Sequence, residues 1–126
     1  MINIRGFTII LTIWLLTACS APGGPPQGDG VSHIRPEPEV LTVAKEVGFD
    51  YMGNLRHAEK GEADAIIALI NFSPQTDAAA SLAHGWVLLD LQKMIGHDKF
   101  ASALARATTD GRKSALNSME VATTYE

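Results

Sequence analysis

Five of the six prolines lie between Pro22 and Pro38, and only Pro74 interrupts residues 40–126. No run in that later region alternates apolar and polar residues in the β-branched, aromatic manner of a half-buried strand. Apolar residues recur there at spacings of three and four, the mark of helices with one buried face. The expected fold class is therefore all-α: four to five short helices packed as antiparallel helical hairpins.

The helices can be placed from their punctuation. A first helical segment covers residues 40–60, either as one ragged helix or as two short ones, because Gly48 and Gly53 weaken it. Gly61 breaks the chain, and a helix with Ile66, Ile67, Leu69 and Ile70 on its apolar face runs to Phe72. Ser73-Pro74-Gln75 ends it, since a proline disfavours helical backbone in the residue before it. Thr76 or Asp77 caps the longest helix, to Ile95, whose stripe of Leu82, Ala83, Trp86, Val87, Leu89, Met94 and Ile95 predicts the centre of the fold. After Gly96 come a helix with Phe100, Leu104 and Ala107 inward, a turn at residues 108–111, and a last helix with Ala115, Leu116, Met119 and Ala122 inward.

The N-terminal region has a different character. Arg5 is followed by a stretch of roughly eleven apolar residues, shorter than the 20 or so that a transmembrane helix needs, and then by small residues. Residues 1–18 thus read as a cleaved leader. It ends in Leu16-Thr17-Ala18-Cys19, which resembles the lipobox of bacterial lipoproteins: a branched apolar residue, two small residues and a cysteine. The resemblance implies that Cys19 is the lipidated first residue of the mature chain, anchored to a membrane. Ser20, where the inner-membrane retention signal would place an aspartate, favours the periplasmic face of the outer membrane. Residues 19–39, rich in Pro and Gly, read as a tether with an r.m.s. span of about 25 Å, and residues 40–126 as the folded domain.

Charge and cysteine content exclude several classes. Ten Lys and Arg stand against fourteen Asp and Glu, and no basic run exists, which argues against a nucleic-acid partner. Removing residues 1–18 takes away Arg5 and leaves nine against fourteen, a net −5. One cysteine cannot form an internal disulfide or a multi-thiolate zinc site. No cofactor motif occurs, and no cofactor is expected.

At an offset of 35 residues Gly61 falls on Gly96, Ala68-Leu69 on Ala103-Leu104, Ala80 on Ala115 and Tyr51 on Trp86. That period, with Ala83-His84-Gly85-Trp86 and Leu89, loosely resembles the tetratricopeptide unit. The glycine comes one residue early and Pro74 is out of place for that pattern, so the reading kept is of helical hairpins packed side by side.

Three residues are candidates for chemistry: His84, Asp90 and His57. His84 lies among Leu82, Ala83 and Trp86, which predicts a side chain hydrogen-bonded across helices. Asp90 interrupts the apolar run of the central helix and needs a partner, either Lys93 one turn on or a histidine across a groove. His57 and Glu59 are two residues apart and point to different sides of a helix. The leading expectation is a membrane-anchored lipoprotein, not an enzyme, acting as a protein-binding or envelope-interaction module: an adaptor, an assembly factor or an inhibitor of the immunity type. The alternative is a small envelope hydrolase or metal-binding protein using His57, Glu59, His84 and Asp90.

Overall fold

The computed structural model describes residues 30–126; the leader, Leu16 to Cys19 and the first part of the tether lie outside them. Among the described residues the chain forms α1 (Pro38–Glu46), α2 (Tyr51–Glu59), α3 (Ala63–Phe72), a 3-10 turn (Ser73–Gln75), α4 (Ala78–Ile95), α5 (His97–Arg106) and α6 (Thr109–Thr124). The fold is all-α, as the spacing predicts. Six helices appear because the segment 40–60 divides at residues 47–50, where the Asp50 carboxylate accepts from the Gly53 N–H and starts α2 afresh.

Side-chain caps set three of the helix starts. Asp50 begins α2, Asp77 accepts from the Ala80 N–H to begin α4, and Thr108 Oγ1 accepts from the Gly111 N–H to begin α6. Gly61 and Gly96 both sit at positive φ (82° and 94°), so each lets the chain turn sharply out of one helix into the next. The 35-residue offset seen in the sequence thus aligns two glycine turns of different length: residues 60–62 join α2 to α3, and Gly96 alone joins α4 to α5.

α4 runs parallel to α6, and α3 to α5. Ser81 meets Ser118 between α4 and α6, and Asn71 at the end of α3 meets Thr108 after α5, each pair 37 residues apart. Leu55, Ile66, Leu69, Ile70, Leu88, Leu91 and Phe100 are fully buried between the layers. Among the described residues the buried core runs from Ile34 to Ala122. No helix among them is long and apolar enough to cross a membrane.

Three expectations need correction. Pro38 and Glu39, assigned to the tether, open α1, where a proline is tolerated because the first helical N–H has no partner to lose. Leu116 and Met94, assigned to buried faces, are 48% and 44% exposed. Leu116 points away from α4, which already receives Ala115, Ser118, Met119 and Ala122 on the opposite side of α6. Met94 faces the open groove it shares with Asp90 and Lys93, while Ile95 beside it packs against the core.

Candidate functional site

His84 is the centre of the polar interior. It is fully buried on α4, with an accessibility of 0%, and its ring touches three other elements. Nδ1 lies 2.7 Å from the Tyr51 hydroxyl at the start of α2; Nε2 lies 3.1 Å from the Leu69 carbonyl of α3 and 2.9 Å from Ser73 Oγ in the 3-10 turn. Phe72 stands edge-on to both Tyr51 and His84 and stacks on Phe49 at 4.7 Å. Aromatic edges therefore fill the space around the ring that water would otherwise occupy.

Local sequence explains why the Leu69 carbonyl is free. In a continuing α-helix it would accept from the N–H of Ser73, but the chain tightens ahead of Pro74 and the Ser73 N–H bonds to Ile70 instead. The freed carbonyl can only accept, which fixes the proton on His84 Nε2. Nδ1 then carries the lone pair, and the Tyr51 hydroxyl must be the donor to it. Burial pulls the His84 pKa from 6.5 down to about 4, the Leu69 carbonyl opposing this in part. The same burial pushes the Tyr51 phenol up.

Ser73, His84 and Tyr51 form a line that outwardly resembles a nucleophile, a base and an orienting group. The tautomer removes that reading: Nε2 presents a proton, not a lone pair, to Ser73 and cannot accept the hydroxyl proton. Ser73 is also 2% exposed. The arrangement binds α2, α3, the 3-10 turn and α4 into one unit, which is the cross-helix hydrogen bonding expected of His84. Tyr51 and Ser73 were not among the candidates. The demand of a buried histidine for polar partners was legible, but a periodic pattern does not say which distant hydroxyls supply them.

The other candidates are dispersed. His57 is exposed and its Nδ1 lies 2.9 Å from Glu62. Glu59, two residues on, turns the other way and receives the N-terminal segment: the Ser32 hydroxyl at 2.6 Å, the Ile34 N–H at 2.9 Å and the His33 N–H at 3.2 Å. Asp90 is exposed on the outer side of α4, in an open groove it shares with Arg35, Lys93 and Met94. The expected partner Lys93 faces Glu126 instead, at 3.7 Å. Among the described residues no three His, Cys, Asp or Glu side chains gather where they could hold a metal ion.

The surface offers open grooves. One of about 680 Å³ runs between the 3-10 turn, α4 and α6, lined by Thr76, Ser81, Asp110, Lys113, Asn117 and Glu120, with Leu116 at its edge. Another, of about 450 Å³, is floored by Phe49 and Phe72 beside the exposed Val47. Comparison with protein-family profiles, with curated proteins and with solved structures finds no match to this chain.

Proposed function

We propose that the chain is a lipoprotein, acylated at Cys19, that holds a non-enzymatic helical binding module at the cell envelope, with the periplasmic face of the outer membrane as its location. The observation that carries this reading is the order of its parts: a short apolar leader, Leu16-Thr17-Ala18-Cys19, a Pro/Gly-rich tether and a compact helical unit. Two acyl chains or more make such anchoring stable where one holds only marginally.

The binding role rests on how the domain divides its polar groups. His84, Ser73 and Tyr51 spend their hydrogen bonds on one another and on the Leu69 carbonyl, away from solvent. The groups presented outward are instead spread along shallow open grooves, with Leu116 and Val121 exposed on α6 and Tyr125 just beyond its end. Such a surface suits a protein partner better than a small substrate, which needs a concave, largely desolvated pocket.

Mass spectrometry of the mature N-terminal peptide tests the anchor. The reading expects an acyl-modified Cys19 as the first residue, abolished by Cys19→Ser; an unmodified cysteine inside a longer mature chain overturns it. Crosslinking in intact envelopes, followed by identification of what is joined to α6, tests the binding role, and recovery of no partner counts against it.

A further inference from the structure

Residues 32–34 are not free chain. Ser32 and Ile34 are each only 6% exposed, while the residues around them are exposed or, at Pro36, half-exposed. The Glu59 carboxylate at the end of α2 accepts from the Ser32 hydroxyl and from two consecutive main-chain N–H groups, those of His33 and Ile34. Ser32 Oγ also lies 2.7 Å from the Ile34 carbonyl, which closes the segment into a tight turn over the carboxylate. Pro36 and Pro38 then stiffen the step into α1.

We infer that Ser32–Ile34 form a releasable strap, gripped by Glu59, that sets how far the helical domain reaches from its anchor. The inference rests on the tether reading proposed above. The strap is held by one carboxylate and by the burial of Ser32 and Ile34, the latter its single apolar anchor in the core, whereas α1 beyond it is fixed by Val40 and Ala44 and by its own helical hydrogen bonds. Segments with so few buried contacts open well below the free energy of global unfolding. With the strap closed, twelve residues, 20–31, separate Cys19 from Ser32, a span of at most about 40–43 Å; with it open, the eighteen residues 20–37 span at most about 60–65 Å. A partner that displaced the strap, or tension along the tether, would extend the distance at which α6 can engage by about half.

Two measurements test this. In native-state hydrogen exchange on the mature chain, the His33 and Ile34 amides should be protected and exchange about ten- to hundredfold faster in Glu59→Ala, the equivalent of one charge-assisted hydrogen bond. Amides of α3 and α4 should keep their protection. Ser32→Ala, which leaves α2 untouched, should give a smaller acceleration of the same two amides. Amides that are unprotected in the parent, or unmoved by either substitution, overturn the strap. The second measurement uses Trp86, the one tryptophan outside the leader. In the lipidated chain on vesicles bearing dansyl-labelled headgroups, Glu59→Ala should lower energy transfer from Trp86, and unchanged transfer overturns the role in reach. An unacylated Cys19 would defeat the tether reading alone, because the exchange measurement does not depend on it.

Discussion

The Tyr51 hydroxyl donates to His84 Nδ1 across 2.7 Å, joining the first residue of α2 to the middle of α4 inside an apolar core. Both groups are buried, so neither can replace the other with water. Tyr51→Phe keeps the ring among Phe49, Phe72 and His84 but leaves Nδ1 without a donor. An unsatisfied buried acceptor costs about 1–3 kcal/mol, which for a domain of this size lowers Tm by at least about 4 °C. Urea and thermal unfolding of the parent and variant measure this. Equal stabilities would show that the bond contributes nothing net.

The same histidine makes stability depend on pH in a defined window. Its folded pKa is near 4 against 6.5 unfolded, so between those values the unfolded chain binds a proton that the folded chain refuses. Stability attributable to His84 is complete above pH 6.5, falls as pH drops towards 4 and levels off below. At about 1.4 kcal/mol per unit of separation, the loss is on the order of 3 kcal/mol. Denaturation midpoints for the parent and His84→Gln between pH 4 and 7 should converge as the pH falls. Parallel curves would assign the acid sensitivity to other groups.

How much of this was legible in the sequence differs from one residue to the next. Apolar spacing and the Gly61, Pro74 and Gly96 breaks place five of the helix boundaries because each is a local property of the backbone. Pro38 was misassigned because a proline in a Pro-rich stretch reads as linker, yet at the first position of a helix it costs nothing. Glu59 was considered beside His57, its neighbour in sequence, when its partners are Ser32, His33 and Ile34, more than twenty residues away. The Ser73 and Tyr51 contacts to His84 depend on how α2 and the 3-10 turn pack on α4, which no single helix encodes. Asp90 stands out in the sequence because Val87, Leu88, Leu89 and Leu91 flank it, yet it lies on the exposed side of α4 with Met94, while Val87, Leu88 and Leu91 turn into the core.

Asp90→Asn should therefore be nearly silent. The side chain is exposed, and its neighbour Lys93 faces Glu126. Exposed substitutions away from caps and networks stay within about 0.5 kcal/mol. Chemical denaturation, together with capture of whatever partner crosslinks to the parent, checks both stability and binding. Loss of the partner by a normally folded variant would place Asp90 in the interface.

Gly85→Ala tests the close approach of α4 and α6. A Cβ at this position would lie 2.2 Å from the Ser118 carbonyl oxygen and 3.0 Å from the Ala122 Cβ. Helix propensity alone favours alanine by about 1 kcal/mol. The clash is with backbone, so α6 must move away from α4, and overpacking of this kind costs about 1–3 kcal/mol or more. A net destabilisation is the expected result in thermal unfolding. Stabilisation would mean that the two helices part more easily than their packing suggests.

Arg112 closes the end of α5 from the first turn of α6. Its Nε donates to the Leu104 carbonyl at 2.9 Å, and one terminal nitrogen reaches the carbonyls of Ala105 and Ala107 at 3.1 and 3.2 Å. The Ala105 and Ala107 carbonyls are of the kind a helix end leaves without intrahelical partners, Leu104 also accepting from the Ala107 N–H, and a cation there also opposes the negative end of the helix dipole. Arg112→Ala should cost about 1–2 kcal/mol, somewhat above a single neutral hydrogen bond, because several acceptors return to water at once. Arg112→Lys should recover little of it: an ammonium supplies charge but cannot span three separated carbonyls as the planar guanidinium fork does. Urea unfolding of the three proteins separates the contributions. Full recovery by lysine would reduce the role of Arg112 to charge alone.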